Sequence, residues 1–228
     1  TAAPLAITAA LQSAPSGTTM NSFKVQNNTI NQCARAVVFN AASANVSNGV
    51  TIILNQIGTA GALGVYPYAT PATTVYCNAI WVAGTNGLTI TDNIINNIIS
   101  YVSSPIAAIE LNANIRGNIN ISDNTISGVV SNTGDNIAAG ISMNPLNGTF
   151  IIDNNNISSI ENISGSSAAP AGGIRINTTN GSGNISGNKI TAVFNRNTGG
   201  GPAQGINLGT APNGLLIRNN FISNIMNI

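Results

Sequence analysis

Three aspartates carry the carboxylates that are best placed for chemistry in this chain. Asp92 and Asp123 each precede an asparagine in the pattern D-N-x-I, and Asp153 precedes the related run N-N-N-I. Glycosidases use paired carboxylates as acid and base, and carboxylate oxygens also bind Ca2+. No histidine is available to assist them. Because aspartate before asparagine is also ordinary turn chemistry, we treat the three as candidates for catalysis or Ca2+ binding and prefer the turn interpretation.

A second candidate site combines an aromatic ring with charged groups. Trp81 is the only tryptophan, and Glu110 and Arg175 stand at its position in the later segments AIELN and GIRIN. An amphipathic aromatic side chain with polar neighbours suits the binding of a sugar ring. The position alternates with apolar residues, so it is predicted to face outward as a ligand-binding row. The competing interpretation is that a tyrosine-containing insertion covers Trp81.

The elements that position these residues are seven copies of the pattern G/N-x-h-x-h-x-x-N-x-I, in which h is mostly apolar. The asparagines of the pattern recur at steps of 27, 38, 31, 31, 33 and 32 residues. A period of this size with strand-like alternation is typical of a solenoid. The copies begin at Asn21, Asn48, Asn86, Gly117, Gly148, Gly181 and Asn213.

The alternation of polar and apolar residues predicts three short strands in each coil. Two strands flank the asparagine of the repeat, and a third comes from segments such as AVVFN, AIWVA and GISMN. In a stack of coils, each strand pairs in parallel with its equivalents above and below. The sequence therefore predicts an all-β, single-stranded parallel β-helix of about seven coils over residues 21–228.

The invariant asparagine of the repeat is predicted to form an internal ladder. An amide side chain donates and accepts hydrogen bonds at once, so equivalent amides one strand apart bond each to the next. Asparagine also tolerates the left-handed backbone conformation of a sharp corner, whereas stacked aspartates would repel one another. The predicted ladder residues are Asn28, Asn55, Asn93, Asn124, Asn155, Asn188 and Asn220.

Two segments depart from the repeat. Residues 58–76 are an insertion with three of the four tyrosines, and we expect an ordered surface loop that binds a ligand or covers an apolar patch. Residues 1–20 lack the repeat, so we expect a cap, a linker or an assembly segment. The last copy has no recognisable cap, which predicts either end-to-end joining into a filament or further coils of a longer chain.

Cys33 and Cys77 are the only cysteines. They fall at nearly equivalent places of the first two coils, where Cα atoms of neighbouring strands lie about 5–6 Å apart, within reach of a disulfide. A disulfide and a pair of small buried thiols are both compatible with this placement. The spacing and the lack of histidine do not fit a metal site.

Composition limits the classes of function. Charged residues make up 6% of the chain and the net charge is +1, so no basic surface for nucleic acid is expected. No apolar run approaches the roughly 20 residues of a membrane span. Hydrophobic residues make up 43% of the chain and are regularly placed, which argues against disorder. A polar but nearly uncharged surface is typical of secreted and cell-surface repeat proteins.

Segments such as GNINISDNTISGV and GLTITDNIINNI resemble the coils of parallel β-helix proteins of the pectin-lyase-like superfamily. The resemblance covers about residues 21–228 and implies a right-handed helix. It is specific for the fold and not for a function, because this fold serves lyases, hydrolases, adhesins, phage tail proteins and surface fibres alike. In the polygalacturonase and pectate lyase types, clustered aspartates catalyse or bind calcium together with basic or histidine partners, and such partners are missing here.

We therefore expect a non-catalytic extracellular β-helix that resembles secreted bacterial surface or adhesin proteins, without a cofactor. Its expected partners are other copies of itself or further coils of a longer chain. The alternative is a carbohydrate-active β-helix that binds or cleaves a polysaccharide near Trp81, Glu110 and the aspartates, with Ca2+ as its one cofactor.

Overall fold

The computed structural model describes most of the chain. The described residues are 11–12, 20–41, 47–59, 63–65, 77–101, 104–132, 136–144, 146–163, 165, 168–177, 180–209 and 213–228. The expectations for residues 1–20 and for the insertion at 58–76 therefore concern mainly positions outside the described residues.

All regular structure in the described part of the chain is β-strand, and the strands follow the polar–apolar alternation of the repeat. The first strands are β1 (Leu11–Gln12), β2 (Lys24–Gln26), β3 (Thr29–Ile30), β4 (Arg35–Asn40), β5 (Ser47–Ile53), β6 (Gln56–Ile57), β7 (Leu63–Val65) and β8 (Cys77–Ala83). The middle strands are β9 (Thr85–Thr91), β10 (Ile94–Ser100), β11 (Ile106–Leu111), β12 (Ile115–Ser122), β13 (Thr125–Ser131), β14 (Ala138–Met143) and β15 (Leu146–Asp153). The last strands are β16 (Asn156–Asn162), β17 (Ala171–Ile176), β18 (Ser182–Ser186), β19 (Lys189–Asn195), β20 (Ala203–Leu208), β21 (Leu215–Arg218) and β22 (Phe221–Asn227).

Three parallel sheets run along the solenoid. Sheet A has the order β1-β4-β8-β11-β14-β17-β20, and sheet B has the order β2-β5-β9-β12-β15-β18-β21. Sheet C has the order β3-β6-β10-β13-β16-β19-β22, with β7 also paired to β10. The chain visits sheets B, C and A in turn, so every strand pairs with the equivalent strand one coil away. The predicted all-β parallel β-solenoid is confirmed.

The coils are less uniform than seven equal repeats predict. Four coils, from β9 to β20, are complete and regular, with three strands of at least five residues each. In the first two coils β2, β3 and β6 have only two or three residues, and the last coil consists of β21 and β22 among the described residues. The structure thus forms about four full turns rather than seven, and the outer copies of the repeat form shorter layers.

Inward apolar columns fill the centre of the solenoid. The strand register keeps each column in line, as in the pairing of Ile80 with Ile109 and of Ile109 with Ile141, and these side chains are fully buried. One inward position is a glycine, because Gly183 lies opposite Phe150. A Cβ at Gly183 would overlap the Phe150 ring. The ring therefore fills the space that the missing side chain leaves.

The sharp corner of each coil lies one residue before the ladder asparagine. Residues at this position have φ between 54° and 65°, so the expectation that the ladder asparagine itself takes up the left-handed conformation is wrong. Asn, Asp and Gly adopt this conformation readily, and leucine is the exception. The corner residues are Asn27, Leu54, Asp92, Asp123, Asn154, Gly187 and Asn219.

Candidate functional site

The asparagine column forms the predicted internal ladder. At each of the six steps from Asn28 to Asn220, Oδ1 accepts two hydrogen bonds from the asparagine of the preceding coil. The backbone N–H donates at 3.0–3.1 Å, and Nδ2 donates at 2.9–3.0 Å. The ladder is confirmed, and it has a direction, because in every bond between two ladder asparagines the earlier coil donates and the later coil accepts.

Each ladder amide is also bonded to the backbone. Nδ2 of Asn124 donates to Ser122 O in its own coil and to Ile90 O in the preceding coil, both at 2.9 Å. The same two bonds recur at Asn93 and Asn155, and all three side chains are buried. Because their polar atoms are bonded, burial does not carry the penalty of an unpaired polar group. The ladder is therefore a structural element of the core.

A second buried polar column, which we did not predict, lies seven residues after the ladder. Ser100, Ser131, Asn162 and Asn195 are successive partners at the ends of sheet C strands, and all four are buried. Nδ2 of Asn162 and Nδ2 of Asn195 donate to the carbonyl of Ala169 at 3.1 and 2.9 Å. The constant spacing from the ladder is visible in the sequence and is the signal that would have found this column.

The predicted ligand-binding row lies on the outer side of sheet A. The register pairs Trp81 with Glu110, Glu110 with Ser142, and Ser142 with Arg175. The three predicted residues therefore share one column, with Ser142 between Glu110 and Arg175. Trp81 and Arg175 are half-buried, whereas Glu110 is only 6% exposed.

Glu110 is held by polar neighbours on the same face. Its Oε2 accepts a 2.7 Å hydrogen bond from Nδ2 of Asn78. Burial raises the pKa of the Glu110 carboxyl, and the Asn78 hydrogen bond and the Arg35 charge oppose this shift only in part. Arg35 itself lies over the Trp81 ring, with 5.5 Å from its guanidinium carbon to the ring centroid. Burial also lowers the pKa of Arg175, against the opposing charge of Glu110.

The outer side of sheet A is not an open platform around Glu110. Ala107, Ala139 and Ser142 lie at strand positions outside the core cluster. They are nevertheless only 2%, 0% and 6% exposed. The low exposure of these small side chains shows that the outer side of sheet A is shielded from solvent here. A ligand therefore has access to Trp81 and Arg175 at the margins of the row, and not directly to Glu110.

The three candidate aspartates occupy two different columns. Asp92 and Asp123 are exposed corner residues of adjacent coils, with φ of 57° and 58°. Asp153 lies one position earlier in its coil, where it pairs with Ser122. Its Oδ1 accepts a 2.8 Å hydrogen bond from Oγ of Ser186. These are the environments of turn and strand-end residues, and only Asp92 and Asp123 stand side by side.

Cys33 and Cys77 are both buried. The pairing of Arg35 with Asn78 and of Val37 with Ile80 places Cys77 one residue out of step with Cys33. The two cysteines are thus diagonal neighbours in adjacent layers. Their disulfide stays a prediction.

Neither a metal centre nor a membrane helix is found within the described ranges. These residues contain no group of three or more His, Cys, Asp or Glu that could hold a metal ion. In the same part of the chain, no helix is long and apolar enough to cross a membrane.

Comparisons of the chain with protein-family models, with curated protein sequences and with solved structures gave no match. The fold is therefore established by the structure itself, and no relative supports the resemblance to the pectin-lyase-like superfamily or to adhesins.

Proposed function

We propose that this chain is a non-catalytic scaffold, a rigid rod with a structural or adhesive role outside the cell or at its surface. The observation that carries the proposal is the continuous amide ladder, buried from Asn55 to Asn188, which ties each coil to the next. Three parallel sheets surround it with backbone hydrogen bonds. At about 4.8 Å per layer, seven layers span about 35 Å.

The local roles of the candidate reactive groups support a scaffold. Asp92 and Asp123 form corners that favour aspartate, and the Asp153 carboxylate is bonded to Ser186. The Glu110 carboxyl is buried against Asn78. Each carboxylate therefore has a structural reason to be present. Charged residues make up only 6% of the chain. Such a surface suits an extracellular scaffold better than a protein that binds charged partners.

The test is a screen for turnover against a panel of neutral and acidic polysaccharides, with and without Ca2+. A scaffold gives no product under any condition, and small-angle scattering gives the profile of a rod. Release of oligosaccharide that is lost in Asp123→Ala would refute the proposal. Asn156→Ala, at an exposed position of β16, is the control for effects on folding.

The second candidate function is polysaccharide binding or cleavage, and one observation favours it. Trp81 is half-buried, carries Arg35 on its ring and lies at the margin of the row, where a sugar ring can reach it. The test is affinity electrophoresis on the same polysaccharides. Retardation that is lost in Trp81→Ala but kept in Tyr101→Ala, at another exposed ring, supports this candidate. Equal mobility of all three proteins in every gel argues against it.

A further inference from the structure

The only two cysteines of the chain lie in the same core, in adjacent coils. Cys33 and Cys77 are 3% and 0% exposed, and both belong to the cluster of buried apolar side chains that fills the solenoid. Cys77 begins β8 and pairs with the buried Ile106, so it stands in an inward column of sheet A. Cys33 lies two residues before β4, where the chain passes from sheet C to sheet A.

The strand register brings the two cysteines within reach of a covalent bond. Arg35 pairs with Asn78, which puts Cys77 opposite Ala34 and one residue out of step with Cys33. A strand spacing of about 4.8 Å and a rise of about 3.3 Å place their Cα atoms about 6 Å apart, a usual separation in disulfides. Because Cys33 precedes β4, the alternation of side chains along that strand does not turn it away from the core.

We propose that Cys33 and Cys77 form a disulfide that converts one coil of the solenoid into a closed covalent ring. Between the two cysteines the chain visits sheet A with β4, sheet B with β5 and sheet C with β6 and β7, and it returns to sheet A with β8. The bond would therefore join the two ends of one full turn, residues 34–76. This ring goes beyond the scaffold role and does not depend on it.

The oxidant that this step needs is a small disulfide such as glutathione disulfide. The thiolate of one cysteine attacks a sulfur of the oxidant, which forms a mixed disulfide and releases one glutathione thiolate. The other cysteine loses its proton to water and displaces the second glutathione, so that two protein thiols are oxidised and one disulfide is reduced. Because both cysteines are buried, the oxidant reaches them during folding or when the coil opens. Extracellular compartments supply such oxidising conditions.

The ring lies where the coils share the fewest backbone hydrogen bonds. In this part of the chain β3 and β6 have two residues each and β2 has three, whereas β10 and β13 in the central coils have seven. A disulfide restricts the unfolded chain, and it does so more strongly when it closes a long loop. Since each coil of a solenoid contacts only its neighbours, we expect the ring to stabilise β4 to β8 and to leave distant coils unchanged.

The first measurement identifies the bond. The whole chain is reduced, unfolded and refolded with or without glutathione disulfide, and its remaining thiols are alkylated after a second unfolding. Peptide mass mapping of the monomer refolded with the oxidant gives one peptide pair linked through Cys33 and Cys77, without alkylation of either residue. Alkylation of both cysteines after oxidative refolding overturns the proposal, and so does a linkage that is found only between two molecules.

The second measurement is hydrogen exchange of the oxidised and the reduced wild-type chain. Oxidation slows the exchange of amides in β4 to β8 on the order of 100-fold, whereas amides in β16 to β19 exchange at the same rate in both forms. The control is the double variant Cys33→Ala and Cys77→Ala, which keeps small apolar side chains and exchanges like the reduced protein with or without the oxidant. Equal exchange of β4 to β8 in the oxidised and reduced wild-type chain overturns the ring, as does an equal slowing of every coil. The comparison of the two wild-type forms stands even if the variant does not fold.

Discussion

Replacement of Asn124 by leucine tests how much the ladder contributes to stability. The substitution removes two hydrogen bonds that Asn93 donates to Asn124 Oδ1. It also removes the two N–H donors of Asn124 Nδ2, which three oxygen acceptors share. The buried N–H of Asn93 then has no ladder acceptor, at a cost of about 1–3 kcal/mol. Each bond whose other partner remains satisfied adds about 0.5–1.5 kcal/mol.

We therefore expect Asn124→Leu to lower the free energy of unfolding by about 3–7 kcal/mol. For a chain of this size, about 2–4 °C per kcal/mol places the melting midpoint at least several degrees lower. The assay is urea unfolding followed by circular dichroism, with hydrogen exchange to locate the loss in the central coils. Asn156→Leu is the control, because Asn156 is exposed on the same coil as Asn155, and it should shift stability by less than about 0.5 kcal/mol.

An unfolding midpoint for Asn124→Leu that matches the control would refute the reasoning, because it would mean that these buried amide bonds contribute nothing net. A loss confined to the coils that flank Asn124 would agree with a solenoid in which each coil contacts only its neighbours. A uniform loss of protection along the whole chain would instead show that the coils unfold as one unit.

Three further predictions concern single side chains. Because burial raises the pKa of Glu110 above its unfolded value, the stability that this carboxyl contributes is present at acidic pH and is lost as pH rises through the folded pKa. Glu110→Gln removes that dependence, which thermal melts of both proteins between pH 4 and 8 would reveal. Gly183→Ala pushes a Cβ into the Phe150 ring and should cost about 1–3 kcal/mol, whereas Gly172→Ala, with only ordinary contacts, should cost less; equal urea midpoints for the two would contradict this. Leu54, with φ of 59°, is strained, so Leu54→Asn should raise stability by about 1 kcal/mol, and a lower midpoint would show that the leucine side chain outweighs the strain.

The strands and the ladder could be predicted from the sequence because both depend on spacing. Alternation fixes which residues face inward, and parallel stacking puts equivalent positions in register, as for Ile80 and Ile109. The same logic placed Trp81, Glu110 and Arg175 in one row. The repeat period and the polar–apolar alternation can be read from the sequence without knowing the structure of the loops.

Other features depend on information that spacing does not contain. Asn27 and Asn28 are both asparagines, so residue type does not tell which of the two turns the corner, and backbone geometry assigns it to Asn27. Alternation predicted that Glu110 faces outward, but not that this face is shielded from solvent, because alternation does not tell which side chains pack on a face. The number of regular turns was overestimated because a copy of the motif is recognisable even where its strands, such as β3 and β6, have only two residues.

The distance between ladder asparagines along the chain varies from 27 to 38 residues, while the distance through space stays at one hydrogen bond. The ladder therefore continues unbroken across connections of different length. A whole coil can be duplicated or deleted in the gene without a change in any contact except at the junction, because coils touch only their neighbours. Such a rod can therefore become longer or shorter during evolution by one layer at a time. Residues on its lateral surface can change while the contacts of the core stay the same.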